Sequence, residues 1–398
     1  MRVRSAQSGT VAASAKIARC AGASRNQAAA AENCSVAGRL NPNSATGPTA
    51  LVGIPQRNTV ALLPTRIGEH VVEYIGLDDG SDPTTTVTNA KKLLTEHKVD
   101  AIVGPSGSPN AMALIEFVAE AKTPMLAPVG TAAVVLPMTE HKKWVFKTTQ
   151  NDDIIAAALF EHMGKVGVKT LGLIGTADPY GENWAKVATG LAGKKGITIV
   201  ASEKFQRSDN SVTGQNLRLI GAKPDAILVA APGGAAVLPQ LGLSDAGYKG
   251  QVYQTHGAAL PDYLKLGGKK IEGTILAASG MLVLGEIPDG NASKKVARSY
   301  VDAYQAKYGQ VPATFGANVY DAGLLLQQAV PIAEKTGKPG TEAFRVALRD
   351  ALEQTRELVG TQGVYNMSAA DHSGFDERGR ELIVVRDGGW KLLETAKK

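Results

Sequence analysis

From about residue 71 the chain alternates between two kinds of segment. Short apolar or β-branched runs lead into turns rich in Gly, Pro and Ser, and each turn opens into an amphipathic stretch. The runs predict strands over Val71–Leu77, Val99–Val103, Met125–Pro128, Thr170–Gly175, Ile197–Ser202, Asp225–Ala231, Gln251–Thr255 and Glu381–Arg386. The stretches between them predict helices over Thr85–His97, Asn110–Lys122, Asp152–Val166, Gly181–Lys195 and Asn291–Tyr308. Strands that alternate with helices of this length build βαβ units and parallel sheets. The run Ala226–Ala231 is apolar at every position, so both of its faces need cover, as in a parallel strand flanked by helices. Two sheets accommodate this many strands better than one. The pattern therefore predicts an α/β fold with two doubly wound, Rossmann-like domains.

Ligands of doubly wound sheets sit beyond the carboxyl ends of the strands. The turns there are small, hydroxylated and poor in charge: Gly104-Pro105-Ser106-Gly107-Ser108, Val129-Gly130-Thr131, Thr176-Ala177-Asp178-Pro179-Tyr180-Gly181, Pro232-Gly233-Gly234, and Gln254-Thr255-His256-Gly257. Ser106, Ser108 and Thr131 either cap helices, as Ser and Thr favour, or join helix-terminal amides in holding an anion. Tyr180 either stacks on a ligand across a cleft or simply packs. His256 is open to a structural or a ligand-contacting role. Asp78, Asp79 and Asp82 suit acidic turn positions better than a Mg²⁺ site.

Charge narrows the classes. Residues 1–40 hold six basic residues and one acid, leaving about +1 for the rest, so the folded body carries no basic stripe of the kind nucleic acids need. Both cysteines, Cys20 and Cys34, fall in the same leader, which excludes a disulfide framework or a cysteine metal site in the body. No uncharged run escapes interruption by Pro and Gly, so no membrane helix is expected. Phosphate-loop, dinucleotide, zinc-protease and nucleophile-elbow motifs are absent from the sequence. No cofactor, metal or catalytic residue is expected.

With these residues in view, the body resembles type I periplasmic binding proteins of the Leu/Ile/Val-binding kind. The resemblance is carried by Ser44-Ala45-Thr46-Gly47-Pro48, Val99–Pro105, Thr123–Pro128, Asp178-Pro179-Tyr180-Gly181 and Tyr320–Leu325, and it covers roughly 44–393. It implies two lobes joined by three crossovers, lobe one being 41–147 plus 277–355 and lobe two 148–276 plus 356–398. It implies a hinged cleft that closes on a small carboxylate, of the branched-chain amino acid or aromatic acid type, and a monomer that docks on the membrane permease of an ABC importer in the periplasm. The residues it points to for the ligand are Ser106, Ser108, Val129, Gly130, Thr131, Tyr180, Gln254 and His256. Amino-acid binders place an acid where this chain has Gln254-Thr255-His256-Gly257, which argues against an α-amino acid because a desolvated ammonium needs a paired charge. A cytoplasmic ligand sensor on the same fold is the alternative, and cell fractionation separates the two.

A second departure lies at the start. Residues 1–43 lack the apolar stretch of a secretory signal. Gly38, Arg39 and Pro42 also stand where a central strand should enter the Thr-Gly-Pro turn. The expectation is an atypical, disordered leader arising from a wrong frame or start site. Intact-mass analysis of the native protein that found residues 1–43 as written would refute it.

Overall fold

The computed structural model describes residues 14–19 and 42–396; both cysteines lie outside the described residues. Two large sheets and two two-stranded ones lie among the described residues, with helices α1 (Ala50–Val60), α6 (Thr213–Gly221), α7 (Val237–Asp245), α8 (Pro261–Gly267) and α9 (Lys294–Tyr308) beside those that cover the large sheets. The first large sheet contains β1 (Ser14–Arg19), β2 (Arg66–Ile67), β3 (His70–Tyr74), β4 (Ala101–Val103), β5 (Met125–Ala127) and β6 (Val145–Lys147), in the order β2-β3-β1-β4-β5-β6. The second contains β7 (Thr170–Thr176), β8 (Thr198–Phe205), β9 (Ala226–Ala230), β10 (Gln251–Gln254), β11 (Ile275–Ala278), β12 (Glu381–Arg386) and β13 (Gly389–Glu394), in the order β8-β7-β9-β10-β11-β12-β13. Strands β7 to β11 pair in parallel, and β12 and β13 close the sheet antiparallel.

Both sheets are covered on both faces, and the period-2 geometry of a strand explains how. In β4, Ile102 packs toward α2 (Pro83–Thr95) and α3 (Ser108–Glu120), while Ala101 and Val103 pack toward α10 (Thr314–Ala333) and α11 (Glu342–Glu353). In β9, Ala226, Leu228 and Ala230 face the cluster with α4 (Asp152–Lys165) and α5 (Pro179–Lys195), while Ile227 and Val229 face the opposite one. This is why β9 reads as a continuous apolar run.

The chain passes from lobe one to lobe two after β6 and returns after β11. The last passage comes later than expected. Tyr365, Met367 and Phe375 pack with the lobe-one cluster around α10 and α11, so the crossover falls between about residue 376 and β12 rather than at 356. The leader also departs from expectation. Ser14–Arg19 occupies the slot between β3 and β4, antiparallel to both. That segment is free of Gly and Pro, unlike 38–42, and satisfies the facing backbone groups of two neighbours. No described helix is long and apolar enough to cross a membrane.

Candidate functional site

The carboxyl ends of the parallel strands in the two sheets face each other across a narrow cleft, whose free volume in this structure is about 30 Å³. On the lobe-one side the first turn after β4 begins at Gly104, whose φ of 131° is closed to L side chains. It delivers Ser106 and Ser108 to the cleft wall. Ser106 Oγ accepts the Ser44 N–H at 3.1 Å, which leaves its own proton to donate. Ser108 is the first residue of α3, whose N-cap, Gly107, offers no side chain to the helix amides. Asp79 anchors this turn from behind, accepting from Ser44 Oγ, Ser81 N, Thr86 Oγ1 and Asn110 Nδ2 at 2.8–3.1 Å. Asp82 caps α2 through Thr85 N. These are the turn and capping roles that suit acidic residues.

The second turn follows β5. Val129 and Gly130 line the cleft; Thr131 does not. Thr131 is buried and its Oγ1 accepts the Ala133 N–H, capping a short 3₁₀ turn. Gly130 lies at a close approach of the two lobes. A Cβ built on it would lie 2.7 Å from Tyr180 Cε2, 2.9 Å from His256 Nε2 and 3.1 Å from Asp152 Oδ1, all three from lobe two.

On the lobe-two side, α5 presents Tyr180. Asp178 caps that helix by accepting the Tyr180 and Gly181 N–H groups. Gly181 lets the helix start lie against β7, since a Cβ there would stand 2.0 Å from the Thr176 carbonyl oxygen. The Tyr180 hydroxyl is bonded to Thr255 Oγ1 at 2.8 Å, and its ring meets His256 edge-on. His256 lies between Tyr180 and Trp184. Burial, aided by the Lys147 charge, pushes its pKa down to about 3, so the imidazole is neutral. Its Nδ1 is buried without a protein partner. Gln254 is placed differently from expectation: it is wholly buried beneath the cleft, donating to the Ala236 carbonyl and Gln240 Oε1 at the end of β10.

Six of the eight expected residues thus converge on one cleft, and Thr131 and Gln254 stand outside it. The sequence pattern missed Arg207, Thr49, Val52, Phe315 and Asn318, which also line it. Arg207 matters most. Its Nε donates to Asp178 Oδ2 at 2.6 Å, and its Nη2 is buried with no hydrogen-bond partner. That pair holds the Asp178 carboxyl below its ordinary range despite burial. Arg207 follows β8, so the same strand-end rule reaches it once β8 runs to Phe205 instead of stopping at Ser202.

A neutral histidine, several hydroxyls, uncapped helix amides and one guanidinium with a free face favour reversible anion binding. A family model described as "Periplasmic binding protein" matches residues 40–377. The chain is similar to an extracellular ligand-binding receptor from Rhodopseudomonas palustris HaA2, with 45% identity and a TM-score of 0.86 over 88% of this chain and 98% of that one. Its fold is also shared with a leucine-binding protein, LivK, from Thermotoga maritima, at 22% identity and TM-score 0.77 over 89% of this chain and 97% of that one. The same holds for an R. palustris ABC-transporter solute-binding protein crystallised with benzoate, at 20% identity and TM-score 0.75 over 88% and 94% of the two chains. A further match, 31% identical, is to a probable metabotropic glutamate receptor, mgl-1, of Caenorhabditis elegans; it spans 35% of this chain and 13% of that receptor. The chain belongs to the periplasmic binding protein family and has its type I fold.

Proposed function

We propose that this protein is the solute-binding component of an ABC importer, capturing in its interlobe cleft a small carboxylate that carries no α-ammonium group. The observation that carries this reading is the charge of the wall. Among the described residues that line the cleft none is acidic, while Arg207 brings a buried guanidinium nitrogen with no partner. A buried ammonium would meet no carboxylate on the wall itself: Asp178 is paired with Arg207, and Asp152, whose carboxyl burial raises to about 7, stands behind Gly130 and His256; an unpaired buried charge is costly. A carboxylate would find Ser106, Ser108 and the first amides of α3 on one lobe and Arg207 Nη2 on the other. Bridging both lobes favours the closed form over the open one. Closure is the signal that a membrane permease would recognise, and the periplasm is the compartment this role requires. The wall also carries Val52, Phe315 and Tyr180, which suit an apolar or aromatic ligand body.

A thermal-shift screen of aromatic carboxylates, aliphatic carboxylates and amino acids tests the proposal. Occupancy at 100 times Kd stabilises by about 2.7 kcal/mol, a resolvable shift. Shifts confined to acids without an amino group are expected. The largest shift with leucine or valine would overturn the ligand class while keeping the role.

A further inference from the structure

Lys147 ends β6 and is wholly shielded from solvent, yet it carries an ammonium. Its Nζ donates to the Gly130 carbonyl oxygen at 2.5 Å, to Asn151 Oδ1 at 2.7 Å and to the Gln150 carbonyl oxygen at 3.2 Å. A lysine ammonium has three donors, and each has an acceptor here. Gly130 belongs to the second cleft turn. Gln150 and Asn151 form the first crossover, immediately ahead of α4. One buried cation therefore holds a ligand-facing turn and a hinge segment together. An apolar side chain of similar length would pack there at lower electrostatic cost, so what the ammonium contributes is its hold on these three acceptors. Gly130 is pinned on one side by Lys147 and faces Tyr180, His256 and Asp152 on the other. The carboxylates acting on the cation are Asp152, Asp153 and Asp371, and burial outweighs them.

We propose that Lys147 is a positioning residue for ligand capture, its ammonium fixing the Val129-Gly130-Thr131 turn through the Gly130 carbonyl and coupling that turn to the first interlobe crossover through Gln150 and Asn151. The proposal rests on the cleft being the ligand site. A ligand that seats against Gly130 loads the same clamp that fixes the start of α4, so seating is transmitted to the hinge. The role is indirect, since Lys147 is not among the residues lining the cleft.

The test is amide hydrogen exchange on the full chain without ligand, for the wild type, Lys147→Met and Lys147→Gln, followed by titration with benzoate and with leucine. Lys147→Met is expected to raise exchange at 129–131 and 150–154 together by about tenfold, as loss of hydrogen bonds to a charged group predicts. The helix 294–308, remote from the clamp, should stay unchanged. Lys147→Gln retains a neutral donor and should show a smaller rise in both segments. Benzoate affinity should fall in the same order. Unchanged exchange in either segment, in both variants, would overturn the proposal. If Lys147→Met fails to fold, the Lys147→Gln result decides by the same criterion. A wild type that binds leucine and not benzoate would refute the proposed ligand class, while the exchange pattern would still decide the role of Lys147.

Discussion

At the scale of single residues, Arg207 and Gly130 bear most directly on ligand capture. Arg207 keeps Asp178 paired through Nε and leaves Nη2 for a ligand. Arg207→Lys preserves the charge beside Asp178 but removes the planar fork that lets one side chain serve two acceptors. Losing one hydrogen bond to a charged group costs about 1.5–3 kcal/mol, so carboxylate affinity should weaken roughly 10- to 150-fold. Calorimetric titration measures this directly, and an unchanged Kd would remove Arg207 from the site. Gly130 is the complementary case. Its φ is not in the left-handed region, so alanine suits its backbone, but a Cβ would collide with Tyr180 and His256 across the cleft, a contact that parting the lobes relieves. Gly130→Ala should therefore leave the melting temperature of the ligand-free protein nearly unchanged while weakening carboxylate binding at least about tenfold, the scale of modest overpacking. A large loss of ligand-free stability would show that closure is not where the clash falls. Ser106, Ser108, Gly130, Tyr180 and His256 were legible because each follows a strand. Phe315 and Asn318 were not, because they reach the cleft from α10, where helical periodicity marks a residue only as buried or exposed. Thr131 and Gln254 carry the right chemistry at strand ends, but local capping and core hydrogen bonds claim their polar atoms.

At the scale of elements, the crossovers are braced by buried polar groups. Asp321 on α10 accepts the Thr361 N–H at 2.8 Å and the Tyr365 hydroxyl at 3.1 Å, and that hydroxyl also reaches the Thr148 carbonyl in the first crossover. Gln150 donates to the Gln362 and Gly379 carbonyls, tying the first crossover to the third. Burial raises the Asp321 carboxyl from its ordinary 3.8 to about 7. Between those values the folded state binds the proton and the unfolded state does not, so this group's contribution to stability falls as pH rises through that window and is lost above about 7. Asp321→Asn cannot ionise. The melting temperature of the wild type should therefore decline relative to Asp321→Asn between pH 4 and pH 7, and parallel curves would contradict the assignment. The alternation of strands and helices was legible over the parallel stretches, where the central strands β4, β5 and β9 are buried along their whole length. The short strands β2, β6 and β11 and the helices α10 and α11 were not marked, because runs of two to four residues carry too little periodicity and α10 is apolar nearly all round. The late third crossover was hidden for a related reason: Tyr365 lies in a two-residue strand and Met367 and Phe375 in irregular chain, and their packing against α10 and α11 assigns them to lobe one.

At the scale of the whole molecule, two covered sheets leave one interface where backbone amides, hydroxyls and a cation converge, and that interface is the cleft. The division into two sheets was legible from the number of strands, and the positive charge concentrated in residues 1–40 leaves a nearly neutral body without a basic stripe. The strand between β3 and β4 was not legible, because the residues leading into the Thr-Gly-Pro turn contain Gly38 and Pro42 while Ser14–Arg19 pairs in that slot. We infer that the cleft captures a carboxylate without an accompanying ammonium. Calorimetric titration at pH 7.5 with benzoate, benzamide and phenylalanine tests it most directly, since the three share a ring and differ in charge at the site. Benzoate should bind one-to-one, benzamide at least about tenfold more weakly through loss of the charge-assisted hydrogen bonds, and phenylalanine with no gain from its amino group. Benzamide binding as tightly as benzoate, or phenylalanine binding more tightly than either, would contradict it.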